Sequence, residues 1–303
     1  MASVKAVQAV LSPVVLDLLI ELNDLKRIYS AGRAGSIATR LFRFAWAALC
    51  AGADIRVVAS HTVRKALAAA RLGDLDYETL VASGLSPADA RRIEQGAIDA
   101  VVGSLDVFIG EFEGDDRDDI IFAECPAFVA SLEAQPRAGI TCPSRPRILL
   151  EPSENHAEHC VMVAVYGGLL SRAYGADASK VFLASLAHHL HNAGMPDAGF
   201  AGEMLLGEHL HTVMDHYTAA SLRQLSDPLR TSVDEAQRLL LDASTPEGRA
   251  FHAADVLDRV LQLNQYMRAA ELSPQRMLGE MELVHAGPIK LFHDDVLRQV
   301  GLL

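Results

Sequence analysis

The sequence predicts a mainly α-helical protein, and three observations support this fold class. Apolar residues recur at the three- and four-residue spacing of one helix face in nearly every segment, for example at Leu41, Ala45 and Leu49. Glycines punctuate this pattern at intervals that suit helix ends. Ser86 before Pro87 is typical of a helix start, because serine caps the first turn and proline is tolerated at the first helical position.

A segment rich in proline and turn residues divides the pattern. Residues 135–155 contain four prolines around the short apolar run 148–150. We expect this segment to join two domains, a helical domain at 1–140 and a second helical domain at 141–303, because 303 residues suffice for two domains of ordinary size. The helices expected after it are 156–173, 178–191, 203–225, 232–241, 246–269 and 273–284.

Composition argues against several classes of function. The formal net charge of −12 disfavours binding to a nucleic-acid polymer, because such binding needs clustered lysine and arginine. The most apolar early stretch, 7–22, is too short and too polar to cross a bilayer, and no export signal is visible, so we expect no membrane association. Four cysteines without paired spacing favour free thiols and a cytoplasmic location.

Histidines are concentrated in the second half of the chain, where eleven of the twelve lie at or after position 156. His156 and His159 begin one expected helix, and the next expected helix ends in His188, His189 and His191. Neutral imidazole is a common ligand of late first-row metal ions, so the cluster favours a metal site. The alternative is one core histidine, with the others bonding to helix-end carbonyls.

A carboxylate usually completes such a site, and the helix expected at 246–269 offers one. Asp255 lies in an apolar stretch, where an unpaired aspartate would be costly. We therefore interpret Asp255 as a metal ligand. Asp258, beside Arg259, is interpreted as a surface or ion-pair residue and as a reserve ligand.

Three short motifs resemble successive elements of the HD superfamily: EHC at 158–160, AHHLHNAGMPD at 187–197 and AADVLD at 253–258. The resemblance covers about residues 154–258 and makes 141–303 an HD-like metal-binding domain, a bundle of helices. The metal ligands that it implies are His159, His188, His189 and Asp255. The likeness is nearest to the branch that includes the 5'-deoxynucleotidases, which implies that Asp197 is the catalytic residue that orients water or protonates the leaving oxygen.

Two positions depart from that branch. His189 replaces the aspartate of the signature pair, and Asn192 stands where the branch has a glutamate. Imidazole in place of a carboxylate removes a negative charge and a bridging oxygen donor, which favours softer ions over magnesium. We expect one divalent transition metal ion, Fe, Mn, Co or Zn.

The leading functional hypothesis is hydrolysis of a small phosphorylated molecule, a nucleotide or another phosphomonoester. A bound ion would polarise a phosphoryl oxygen and activate water. Positive side chains near the motifs in the sequence are few: Arg172, Lys180 and Arg259. The residues expected to contact substrate are Asn192, Glu203 and Arg259.

Two alternatives stay open. An HD-type iron oxygenase acting on a small molecule would need two irons, for which further ligands could come from His156, His191, His209 and His211. A non-catalytic signalling or assembly module is the second alternative, because the signature pair is altered. The chain could also form a homodimer.

Overall fold

A computed structural model describes residues 13–103, 105, 120–271, 273, 278, 290–299 and 301. They form a mainly α-helical protein, which confirms the predicted class. The helices are α1 (Pro13–Asn23), α2 (Ile37–Cys50), α3 (Ile55–Leu72), α4 (Tyr77–Ala82), α5 (Pro87–Val102), α6 (Ala127–Ala134), α7 (His156–Tyr174), α8 (Ala178–Ala187), α9 (Gly199–Leu206), α10 (Leu210–Leu222), α11 (Asp227–Leu239), α12 (Pro246–Ala270) and α13 (Lys290–Gln299). Two short strands, β1 (Ile140–Cys142) and β2 (Arg145–Ile148), form an antiparallel hairpin.

The N-terminal helices begin where short polar side chains satisfy backbone N–H groups of the first turn. The Ser36 hydroxyl accepts a hydrogen bond from the Thr39 amide at the start of α2, and Asp54 and Ser86 accept equivalent bonds at the starts of α3 and α5. The apolar face of α2 is buried around Trp46. Because α2 packs against both α3 and α7, it joins the N-terminal helices to the histidine-bearing helix.

The start of α7 is fixed by a capping box. The Asn155 side chain accepts from the Glu158 amide at 2.9 Å, and the Glu158 carboxylate accepts from the Asn155 amide at 3.0 Å. The other carboxylate oxygen of Glu158 accepts the Ser36 hydroxyl at 2.6 Å. These bonds fix the first turn of α7, which carries His156 and His159.

Asn155→Ala is expected to lower the free energy of unfolding by about 1–2 kcal/mol, because it removes the acceptor for the Glu158 amide. Urea denaturation monitored by circular dichroism would measure the change. Ser131→Ala, at a half-buried position of α6 where the hydroxyl donates to the Ala127 carbonyl of the same helix, is the matched control and should change the free energy by less than about 0.5 kcal/mol. Equal effects of the two substitutions would contradict the role of the capping box.

Two segments predicted as single helices are interrupted. The predicted helix over 178–191 is α8 followed by a 3-10 helix at Leu190–Ala193. In a continuing α-helix the Ser185 carbonyl would accept from the His189 amide. Here that carbonyl accepts from the His188 side chain. The predicted helix over 203–225 is α9, a 3-10 helix at 207–209 and α10. The break falls at Gly207, whose φ is 51°.

The proline-rich segment is an ordered strap rather than a free linker. Pro136 pairs with Asn155 in an isolated bridge, and the Arg137 amide donates to the Glu154 carbonyl at 2.8 Å. The segment then turns at Gly139, where a Cβ would lie 2.4 Å from the carbonyl oxygen at position 148. Residues 135–138 therefore lie alongside the start of α7.

By compactness the chain divides into two units, Met1–Arg259 and Val260–Leu303. The boundary expected at residues 140 and 141 lies within the first unit, because α2 and α6 pack against α7; the assignment of two separately folding domains stays a prediction. In the part of the chain that the structure describes, no helix has the length and apolar character needed to cross a bilayer. All four cysteines are free thiols.

Candidate metal centre

The four predicted ligands come from three parts of the chain. His159 lies in α7, His188 and His189 directly follow α8, and Asp255 lies in α12. Helix α7 packs most extensively against α8. Gly167 permits this close approach, because a Cβ there would lie 2.7 Å from the side chain of Val181 in α8.

The Nε2 atoms of His159 and His188 face each other at 3.1 Å. The Nδ1 atom of His159 donates to the Asp258 carboxylate at 2.7 Å, and the Nδ1 atom of His188 donates to the Ser185 carbonyl at 2.5 Å. A neutral imidazole carries one N–H, so in both rings the proton is on Nδ1. Each Nε2 atom therefore presents a lone pair to the other.

A cation between these two atoms would turn their repulsion into attraction. The Oδ1 atom of Asp255 lies 3.3 Å from the Nε2 atom of His159 and has no hydrogen-bond partner among the described residues. With metal–ligand bonds of about 2.0–2.1 Å, neighbouring ligand atoms are about 2.9 Å apart in an octahedral site and about 3.3 Å apart in a tetrahedral one. The separations of 3.1 and 3.3 Å match this range, so the Nε2 atom of His159 could share an ion with either neighbour. The group of ligand atoms within 4.8 Å of one another joins His159 to His188 and His189 and leaves out Asp255, which makes the carboxylate the outermost of the four.

His189 belongs to the same group through a ring that is also anchored. Its Nδ1 atom donates to the Asn192 side-chain oxygen at 2.8 Å, and the Asn192 amide donates to the Met195 carbonyl at 3.2 Å. Ligand atoms of His159, His188 and His189 lie within 4.8 Å of one another. Asn192, which we expect to contact substrate, is 5% exposed and accepts the bond that orients His189; its contact with substrate stays a prediction.

An arginine that the motifs did not indicate lies at the edge of this group. The Nη1 atom of Arg137 donates to the Nε2 atom of His189 at 3.3 Å, because a guanidinium group only donates. The strap at 135–138 positions this side chain, which is half-buried. The available signal was the presence of three arginines, at positions 137, 145 and 147, in the segment before the first motif.

Burial lowers the pKa of the clustered histidines, so their rings are neutral and able to bind a metal ion. The pKa of His159 falls to about 3 and that of His191 to about 4. Burial also lowers the pKa of His188 and His189 well below the usual range. For Asp255, burial would raise the pKa, but the neighbouring imidazoles of His159 and His188 and the Arg259 guanidinium group lower it well below its usual range, so the carboxylate is charged.

A second group of ligand-type residues lies at the Nδ1 side of His159. Glu154, His159 and Asp258 are buried, and their ligand atoms lie within 4.8 Å of one another. The Lys26 ammonium group contacts both carboxylates, at 2.5 Å from Glu154 and 2.6 Å from Asp258. Asp258 is fully buried; the expectation of a surface residue is wrong, and that of an ion pair is confirmed.

His156 and Asp197 lie beside the ligand group. The ring centroids of His156 and His189 are 4.8 Å apart, and Oδ2 of Asp197 is 3.5 Å from Nε2 of His156. Asp197 is held by the amides of Ala138 at 2.9 Å and Gly199 at 2.8 Å. Neither ring nitrogen of His156 has a hydrogen-bond partner among the described residues, so a water molecule or a ligand would be needed to satisfy them.

The remaining candidates divide between the cluster and the surface. His191 is buried, with its ring centroid 5.4 Å from that of His189. His209 and His211 are exposed and belong to neither ligand group of the described residues, so the structure does not bring them to the centre. Glu203 is half-buried in the second turn of α9. Arg259 donates to Oδ2 of Asp255 at 2.6 Å, and its side chain is 58% exposed.

A pocket of about 410 Å³ lies elsewhere, between α2, α3 and the turn at 73–76. Its charged residues pair with one another, as Arg33 does with Asp76 at 2.7 Å. None of the clustered histidines lines it. Convergent ligand atoms, rather than pocket volume, therefore mark the centre.

Comparison of the chain with protein-family models, with curated proteins and with solved structures found no match. The centre could hold a metal ion: the imidazole of His159 is buried and those of His188 and His189 are half-buried, all three are neutral with fixed tautomers, and one charged carboxylate oxygen lacks a partner among the described residues.

Proposed function

We propose that this protein is a metal-dependent hydrolase that acts on a small phosphorylated molecule through an HD-type site. The observation that supports this most is the pair of facing Nε2 atoms of His159 and His188, each fixed by a bond at Nδ1. Asp255 would complete the ligand set, and His189 would join it once its Nε2 atom, which accepts from Arg137 at 3.3 Å, is released to the ion. An ion held there would polarise a phosphoryl oxygen and activate water for attack.

The charges around the ligands favour an anionic substrate. Lys26 offsets one of the two negative charges of Glu154 and Asp258, and Arg259 offsets the charge of Asp255, so these groups together keep one negative charge. The positive charge of a divalent ion would then be offset only in part by the groups that hold it. A phosphate group would supply the missing negative charge.

Arg137 is the side chain best placed to contact that phosphate. It already reaches the Nε2 atom of His189 at 3.3 Å, and guanidinium pairs well with phosphate oxygens. Arg172 and Lys180, the candidates from sequence, are exposed. Arg172 lies thirteen residues after His159 in α7, which is about 20 Å along the helix.

His156 and Asp197 border the ligand group on the side of the strap. Asp197 has both oxygens fixed by backbone amides, so it is suited to orient His156 rather than to move. With Nε2 of His156 facing Asp197 at 3.5 Å, the unsatisfied Nδ1 atom would hold a substrate oxygen or the attacking water by hydrogen bonding. We assign the orienting role expected of Asp197 to this pair.

The iron oxygenase receives less support. It would need a second iron, whereas His209 and His211 are exposed and the group of Glu154 and Asp258 already holds Lys26. The small-molecule partner, the cytoplasmic location and a homodimer stay predictions.

Phosphate release tests the proposal. Metal-free protein would be loaded separately with Mn²⁺, Co²⁺, Zn²⁺ or Fe²⁺ and offered nucleoside monophosphates, deoxynucleoside monophosphates and p-nitrophenyl phosphate. We expect turnover with at least one ion, lost on chelation. Protein that holds its ion but releases no phosphate from any substrate would overturn the hydrolase and leave the non-catalytic module; oxygen consumption by the iron-loaded protein would favour the oxygenase.

A further inference from the structure

We propose that the Lys26 ammonium group is a built-in cation that fills a second carboxylate site and limits the centre to one metal ion. This inference rests on the proposed function for the first ion, but it concerns different residues. Lys26 would act as a positioning residue, because it reaches the metal ligands only through Asp258.

The bonding of Lys26 is complete. Its Nζ atom lies 2.5 Å from Glu154 Oε1, and 2.6 and 2.8 Å from the two oxygens of Asp258. An ammonium group has three N–H donors, and three oxygens accept them. The Lys26 side chain is 1% exposed and those of its partners are 8% and 0% exposed, so all three charges are withdrawn from solvent.

The residues that surround this lysine are those of a cation site. Glu154, His159 and Asp258 bring their ligand atoms within 4.8 Å of one another, and carboxylate oxygens suit hard divalent cations such as Mn²⁺. The lysine nitrogen lies between the two carboxylates. A second metal ion could bind there only after the ammonium group had left.

Lys26 also keeps His159 ready for the first ion. Asp258 uses Oδ2 to accept from Nδ1 of His159 at 2.7 Å, while Oδ1 and Oδ2 both contact Lys26. Asn23 adds a bond to Oδ1 of Asp258 at 3.3 Å. A metal ion in place of the ammonium group would compete for the oxygen that orients His159. The N-terminal residues 23 and 26 thereby complete the surroundings of a centre whose ligands all lie after residue 158.

Removing the ammonium group should turn the lysine position into a metal site. In Lys26→Met two buried carboxylates lose their cation, which is strongly destabilising unless another cation replaces it. A divalent ion is the replacement that the two carboxylates can hold. Glu154→Gln in the same chain removes one of the two negative charges, so the double variant Lys26→Met/Glu154→Gln no longer provides a pair of carboxylates.

The experiment measures manganese content and thermal unfolding of the full chain. After dialysis against Mn²⁺ and removal of free ion, we expect about one ion per chain in the wild type, about two in Lys26→Met and about one in the double variant. The melting temperature of Lys26→Met should rise with Mn²⁺ beyond the first equivalent, and that of the wild type should not.

Three results would overturn the inference. The first is a folded Lys26→Met that holds one ion as the wild type does, and the second is a wild type that holds two. The third is a Lys26→Met that stays unfolded at every Mn²⁺ concentration while the double variant folds, which would show that a divalent ion cannot replace the ammonium group. A wild type without any ion would overturn the proposed function instead, and Lys26→Met should then still take up one.

Discussion

His188→Ala is expected to reduce the metal content from about one ion per chain to less than about 0.1. Loss of a residue that only supports a ligand lowers metal affinity about 10- to 100-fold, and loss of a direct ligand should lower it further. The substitution removes one of the two facing Nε2 atoms, which are 3.1 Å apart in the wild type. Phosphate release should fall to background with the ion. Elemental analysis by mass spectrometry after dialysis provides the measurement.

A matched histidine controls this experiment. His209 is exposed and lies outside both ligand groups of the described residues, so His209→Ala should keep the wild-type metal content. A chelator should lower the melting temperature of the wild type and of His209→Ala but not that of His188→Ala, because only a protein that binds the ion is stabilised by it. Full metal content in His188→Ala would exclude the proposed centre.

Arg137→Ala is expected to lower kcat/KM for the phosphorylated substrate by about 100- to 1,000-fold, the usual cost of removing a charged donor from a developing negative charge. Metal content should stay at about one ion per chain, because a guanidinium group has no lone pair with which to bind the ion, and the loss of Arg137 only releases the Nε2 atom of His189. Steady-state kinetics and elemental analysis of the same preparation separate the two effects.

Arg145→Ala is the control for Arg137→Ala. Arg145 lies in the same proline-rich segment but is exposed in β2, so its loss should leave kcat/KM within about threefold of the wild type, as for most exposed substitutions. Arg137→Lys should recover less than half of the lost activation free energy, because an ammonium group cannot pair with two phosphate oxygens in one plane. Unchanged kinetics in Arg137→Ala would remove this residue from substrate binding.

Local sequence patterns determined the helical class, most helix starts and the identity of the clustered histidines. A cap such as Ser86 acts on amides within three residues of itself, and the apolar spacing of α2 shows directly which face is buried. His159, His188 and His189 could be selected because they are strongly polar side chains at the ends of apolar helical segments. Asp255 stood out for the same reason, and the structure shows it beside His159.

Only the tertiary structure determined what supports those ligands. Lys26 meets Asp258 across 232 residues of chain, and no spacing rule connects two such positions. The sequence left Asp258 as either a surface or an ion-pair residue, because sequence separation from Asp255 says nothing about which neighbours cover a helix; the structure shows the buried ion pair. Arg137 reached the cluster through backbone pairing of the strap with the start of α7. The tautomer of His159, on which metal binding depends, follows from Asp258, which packing placed beside Nδ1. The tautomer of His188 follows instead from a local acceptor, the Ser185 carbonyl three residues earlier.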